Sequence, residues 1–213
     1  MWISIRQHVF FLSGLIIATL VIMGWINTIT YENIVLAEKR ILHAPLFDIL
    51  GKTKKTDTIE LHSQPIPIKF LPMLGLEGEH ELHLSSQNGK PFAALIPSIS
   101  RDGYGGNISM IIALKRDGSV LGVRILAHSE TAGLGDKIEL SKDNWILAFD
   151  GRSLANSPSE SWALEKDGGD FDQFTGASIT PRAVITQVFE TLKYFEQDGQ
   201  RLFARKSNEQ GQE

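Results

Sequence analysis

The run from Val9 to Ile26, VFFLSGLIIATLVIMGWI, holds no charged residue, and nothing else in the chain narrows its possible folds as much. As a helix rising 1.5 Å per residue it reaches about 27 Å, close to the hydrocarbon thickness of a bilayer. A cleaved signal peptide usually has a shorter apolar region, and no small-residue A-x-A site follows before Glu32. An uncleaved transmembrane helix over residues 9–29 is therefore expected. Arg6 and the amino terminus precede it, and Trp2, Trp25 and Tyr31 suit interfacial depths, which predicts a cytoplasmic tail of residues 1–8. Everything after about Asn27 then faces outward, and in a bacterium that side is the periplasm.

With 42% hydrophobic and 22% charged residues among 213, no repeat and no low-complexity tract, the remainder suffices for one modest globular domain. A net charge of −4 without a basic stripe argues against nucleic acid as a partner. The chain has no cysteine, so disulfides, thiolate zinc sites and ordinary cysteine-ligated iron–sulfur clusters are excluded. Any electron it carries needs another cofactor.

Two β-rich runs, Ile108 to Leu114 and Val120 to Ala127, flank Asp117–Gly118 and read as a hairpin, with a further strand expected at Phe92 to Ile99. Ser141 is positioned to cap a short helix through Trp145 to Phe149, and Trp162 to Glu165 suits another strand. Thr30 to Leu50 has apolar residues at helical spacing. Lys52 to Asn88 is polar, contains Pro65, Pro67 and Pro72, and reads as irregular structure. The class expected from this series is α+β.

Near the C-terminus, Ala183, Val184, Ile185, Val188, Phe189, Leu192 and Phe195 recur at three- and four-residue spacing and give a helix one apolar face. Proline is favoured at the first helical position, so a start at Pro181 makes Thr180 the expected N-cap. The unsatisfied N–H groups and positive dipole end of a helix start favour phosphate, and Gly176, Ala177 and Ser178 let a ligand approach the preceding backbone. The residues thus describe a phosphate cradle with a hydroxyl inside it. An ordinary N-cap after a tight turn is the competing reading of those residues taken alone.

The full string DQFTGASIT matches the flavinylation motif Dxx(S/T)GA(S/T)xT, with Asp172, Thr175, Gly176, Ala177, Ser178 and Thr180 at its specified positions. In that motif a flavin transferase joins the phosphate of FMN to the last threonine through a phosphoester, which implies covalent FMN on Thr180. Upstream, GYGGNISMIIALKRDGSVLGVRILAHSETAGLGDKIE resembles the FMN-binding domain of the G subunit of Rnf-type (also called Rsx) electron transport complexes. That family usually reads HxETPGLG, and Ala132 stands here in place of the proline, which removes some rigidity from the turn.

The resemblance implies a single transmembrane helix, a membrane-proximal segment of residues 30–90, one outward-facing FMN-binding domain over residues 91–200, and a polar tail of residues 201–213. It implies an inner-membrane electron carrier working with other subunits of a complex that couples electron transfer of the ferredoxin/NAD type to ion translocation. His128, Glu130, Thr131, Gly133, Leu134 and Gly135 are expected to shape the flavin pocket, with Thr175, Gly176, Ala177 and Ser178 beside the phosphate and Leu134 against the ring. No catalytic residue and no metal ligand is assigned: His80 and His83 in GEHELH lack a third ligand at suitable spacing. Gly103, Gly105 and Gly106 around Tyr104 mark either close backbone approach to a ring or a plain loop, and Arg182 either approaches the phosphate or is solvated. The C subunit of a sodium-translocating NADH:quinone reductase, generally a longer chain, is the nearer alternative. A non-redox anchored module binding a phosphate ligand is the more distant one.

Overall fold

A computed structural model of the chain describes residues 12–19, 23, 49, 59–87 and 89–204. Residues 1–44 and 45–213 form separate units. In the first, residues 12–19 are helical, with Leu12, Leu15, Ile16 and Ile17 exposed and the Thr19 hydroxyl donating back to the carbonyls of Leu15 and Ile16. Apart from Met23, the rest of the expected transmembrane helix, and the expected helix over Thr30 to Leu50 apart from Ile49, lie outside the described residues. Among the described residues no helix is long and apolar enough to cross a membrane.

The second unit is built on a five-stranded antiparallel meander in sequence order: β1 (Ile59–Pro65), β2 (Glu81–Gln87), β3 (Lys90–Gly103), β4 (Gly106–Lys115) and β5 (Val120–Ala127). A single long helix, Ile179–Ala204, follows it. Sheet and helix together are the α+β class that the sequence predicts. The polar segment before Asn88, expected to be irregular, instead supplies β1, β2 and a 3-10 helix at Ile68–Leu74. Its three prolines mislead because they sit at the end of β1, just before the 3-10 helix and inside it, where no ladder hydrogen bond is lost.

Alternation along the strands decides what each face meets. Ala94, Ile96 and Ser98 of β3 stand beside Leu114, Ile112 and Met110 of β4, all buried, and this row packs under the C-terminal helix. The helix contributes Ala183, Val184, Val188 and Leu192 to the same core. One polar tie fixes its register: the Thr191 hydroxyl donates to the Gln187 carbonyl at 2.8 Å and lies 2.9 Å from the Ser98 hydroxyl, which is left to act as donor to it. A second tie runs from Gln187 Nε2 to the Met73 carbonyl at 3.0 Å. On the opposite face Leu95, Ile111 and Ala113 are fully buried, and the buried Ile49 lies 3.1 Å from where a Cβ on Gly122 would stand.

Between β5 and the helix the chain is almost free of regular structure, and aromatic packing holds it. A 3-10 turn at Asn144–Phe149 is capped by Asp143, not Ser141, whose side chain instead donates to Glu139. The expected strand at Trp162 to Glu165 is reduced to a single bridge, Leu164 to Phe171. Trp145, Phe149, Trp162, Phe171 and Phe174 pack with centroid separations such as 4.6 Å for Phe149–Phe171 and 5.1 Å for Trp145–Phe174. The Trp145 indole N–H donates to the Asp172 carbonyl at 2.8 Å, which pins the start of DQFTGASIT to this cluster. Phe171 is fully buried beneath the Arg152 guanidinium. Truncating Phe171→Ala removes the ring shared by the cluster, and a loss of about 3–5 kcal/mol is expected as a lower urea midpoint.

Candidate functional site

Where the last irregular segment becomes the helix, Phe174 to Ala177 form a tight turn closed by the Ala177 N–H donating to the Phe174 carbonyl at 3.1 Å. Gly176, its third residue, has φ +81°, a left-handed value that strains any residue with a Cβ. The helix begins at Ile179, so Thr180 lies within its first turn and is not the N-cap that a start at Pro181 predicts. Proline fits anywhere in a first turn because N–H groups there have no intrahelical partner, so it does not fix the boundary to one residue. The consequence for Thr180 is chemical: its hydroxyl is not spent on a helix cap.

That hydroxyl instead donates to Glu130 Oε2. Both side chains are buried, Thr180 at 1% and Glu130 at 8% exposure, so water does not compete strongly for the pair. Glu130 Oε1 accepts the Gly105 N–H at 2.9 Å. Accepting at both oxygens is what an ionised carboxylate does. The three glycines Gly103, Gly105 and Gly135 make room for it. A Cβ on Gly103 would stand 2.7 Å from Glu130 Oε1, one on Gly105 would stand 2.0 Å from the Ser129 carbonyl oxygen, and one on Gly135 would stand 2.9 Å from both Thr180 Oγ1 and Glu130 Cβ. The glycines around Tyr104 thus permit the chain's own close packing at the β3–β4 turn.

His128 and Glu130 lie just past the end of β5, so the strand alternation that would put them on one face does not apply. They touch directly: the Glu130 N–H donates to His128 Nδ1 at 3.0 Å. With Nδ1 accepting, the ring proton is assigned to Nε2, which donates to Glu139 Oε1 at 2.7 Å. His128 therefore braces the backbone of Glu130 from behind. That bond, with a second from the Ser141 hydroxyl, holds the Glu139 carboxyl below its ordinary value of 4.5. A folded-state value that is depressed gives stability present above the unfolded value and lost as pH falls through the folded one. In an NMR titration Glu139 is expected to protonate below the ordinary glutamate range, and His128→Ala is expected to return its midpoint upward.

Around the Thr180–Glu130 pair opens a cavity of ≈ 340 Å³. Of the residues singled out in the sequence, Glu130, Thr131, Leu134, Gly135, Gly176, Ala177, Ser178 and Thr180 line it, whereas His128, Thr175 and Gly133 do not. Gly133 acts through the turn, with φ +78°, while the Thr131 carbonyl accepts the N–H groups of Leu134 at 3.1 Å and Gly135 at 2.9 Å. Tyr104 and Ile179 also line the cavity. With Leu134 they form a rim of large apolar side chains left 71%, 47% and 41% exposed for Tyr104, Ile179 and Leu134. Ile179 is the x of the motif's last three residues, so no pattern selects it; its place before Thr180 at a helix start was the available signal. Arg182 is turned to Asp167, with Nε and Nη2 at 2.6 and 3.0 Å from its two carboxylate oxygens, and this pair holds Asp167 below the usual carboxylate range.

This set suits a phosphate-bearing ligand with a flat apolar body. A helix start offers N–H groups and its dipole to a phosphate, glycine-shaped backbone clears the approach, and apolar side chains ring the opening. Among the described residues no group of three or more His, Cys, Asp or Glu side chains is placed to hold a metal ion. His80 meets the Glu77 carbonyl at 2.9 Å and His83 the Ser63 hydroxyl at 3.0 Å.

Residues 103–193, which run from the β3–β4 turn through most of the C-terminal helix, match the family model of the FMN-binding domain. The chain is 40% identical over 187 residues to the G subunit of the ion-translocating oxidoreductase complex of Shewanella loihica, covering 88% of this chain and 87% of that one. It is 37% identical to the protein of the same name from Vibrio parahaemolyticus, with 96% of each chain covered, and 42% identical over 148 residues to that of Pseudomonas aeruginosa, covering 70% and 69%. With its FMN-binding domain closing around Thr180 and Glu130, the chain belongs to the G-subunit family of ion-translocating oxidoreductase complexes.

Proposed function

We propose that this chain is a membrane-anchored electron carrier, holding FMN through a phosphoester on Thr180 and relaying electrons among the other subunits of an ion-translocating complex. The observation that carries the reading is the Thr180 hydroxyl, set in the first turn of a helix at the wall of an open cavity and free of any capping duty. FMN supplies the redox chemistry when bound, accepting electrons singly or in pairs. The protein residues supply position. The helix start and the turn at Gly176 receive the phosphate, and Tyr104, Leu134 and Ile179 offer the ring an apolar seat at the surface. A carrier needs one edge of its cofactor at an interface, and so exposed a rim serves that need.

In this reading residues 9–29 anchor the chain in the bacterial inner membrane, the domain lies on the periplasmic side, and a flavin transferase loads Thr180 there. The deciding experiment is mass spectrometry of the peptide carrying DQFTGASIT from protein made in its native host. A mass increment of esterified FMN on residue 180 is expected. An unmodified Thr180 in a chain that has been freed of loose flavin overturns the reading.

A further inference from the structure

We infer that Tyr104 is a cofactor-binding residue whose ring stacks on one face of the isoalloxazine and closes that face to solvent. The inference rests on the FMN reading above but not on where the phosphate is attached. Tyr104 lines the cavity and is 71% exposed, and among the described residues its hydroxyl has no hydrogen-bond partner and its ring no aromatic neighbour. An aromatic ring is among the largest apolar surfaces a chain can bury, and here the fold buries little of it.

The turn that carries this ring is nevertheless built to hold still. Gly103 and Gly106 pair between β3 and β4, leaving Tyr104 and Gly105 at the tip. The Gly105 N–H donates to Glu130 Oε1 at 2.9 Å, and the Gly105 backbone lies so close to Ser129 that a Cβ would stand 2.0 Å from its carbonyl oxygen. The tip is thereby clamped to the residues that lead into the Thr131–Gly135 wall of the cavity. A ring fixed at a cavity mouth, with no protein surface to cover it, is a free stacking platform. Tyrosine suits that place: it offers a flat π face with few rotatable bonds to immobilise, and its hydroxyl stays in water while the ring covers a ligand. Leu134 and Ile179, the other large side chains at the mouth, are aliphatic and branched. Leu134 is also turned to the backbone of Gly176, with Cδ2 3.6 Å from where a Cβ there would stand. Of these side chains only Tyr104 presents a plane that matches a fused ring system.

The test uses the full-length chain loaded with FMN by a flavin transferase and reads how readily iodide quenches the flavin emission of the native protein. The slope of that quenching does not depend on how much flavin is loaded. Tyr104→Ala is expected to raise the quenching constant about twofold, because a face closed to collision becomes open. Its urea midpoint is expected to stay at the parent value, since the side chain packs on little. Tyr104→Phe keeps the ring and is expected to keep the parent constant. An unchanged constant in Tyr104→Ala, or a constant in Tyr104→Phe raised as far as in the alanine variant, overturns the assignment. A parent chain that takes up no covalent flavin overturns the attachment proposed above and leaves this inference to a titration of FMN into the same chains. There Tyr104→Ala is expected to bind about two- to tenfold more weakly than the parent, and equal affinity, or no binding by the parent, overturns it.

Discussion

Thr180→Ala is expected to leave a folded chain that keeps no flavin through denaturing electrophoresis, whatever transferase accompanies it. The loss of covalent fluorescence should be complete because no other hydroxyl duplicates the position. Ser178 lines the same cavity but precedes the helix, and Thr175 does not line it. Thr180→Ser keeps the hydroxyl and is expected to retain fluorescence. The alanine variant also leaves Glu130 Oε2 buried without its donor, which costs about 1–3 kcal/mol. That cost appears as a lower urea midpoint and separates two effects that a single activity assay would merge. A fluorescent Thr180→Ala band at full intensity moves the attachment to another residue, with Ser178 the first to examine.

The ends of the site were far more legible in the sequence than its middle. Gly176 and the apolar period after Pro181 announce a turn feeding a helix because local backbone rules alone produce them. The hairpin across Asp117–Gly118 is local in the same sense and forms as β4 and β5. By contrast, the Glu130–Thr180 bond joins residues fifty positions apart, and no local preference encodes it. It arises because β5 ends at Ala127 while an aromatic cluster of Trp145, Phe149, Phe171 and Phe174 carries the chain back to the same place. β1 and β2 were hidden for another reason: strands near the start of the sheet are part polar, as GEHELHLSS is, and exist because β3 offers β2 an edge and β2 in turn offers one to β1. The glycines at 103 and 105 read in the sequence as either close approach to a ring or a plain loop, and neither reading names Glu130 as the neighbour.

Gly135→Ala is expected to slow flavin loading by about 10²-fold while costing only about 1–3 kcal/mol of stability. Gly135 does not occupy the left-handed region, so the backbone accepts alanine without strain, and the effect is steric alone. The added methyl would stand 2.9 Å from Thr180 Oγ1 and from Glu130 Cβ, closer than real Cβ contacts allow, so hydroxyl and carboxylate must separate. Gly105→Ala attacks the same pair from the other side: its Cβ meets the Ser129 carbonyl oxygen at 2.0 Å and drives the β3–β4 turn, with the N–H that Glu130 Oε1 accepts, away from the site. Gly151→Ala is the control. Its φ of +81° makes alanine cost about 1 kcal/mol, yet nothing lies within 4 Å of the added carbon and the site is untouched. Loading should therefore follow contact with the Thr180–Glu130 pair and not stability: stability losses of similar size in Gly135→Ala and Gly151→Ala, measured by urea unfolding, should accompany slow loading in the first and parental loading in the second. Equal loading in both would detach flavin attachment from the geometry of that pair.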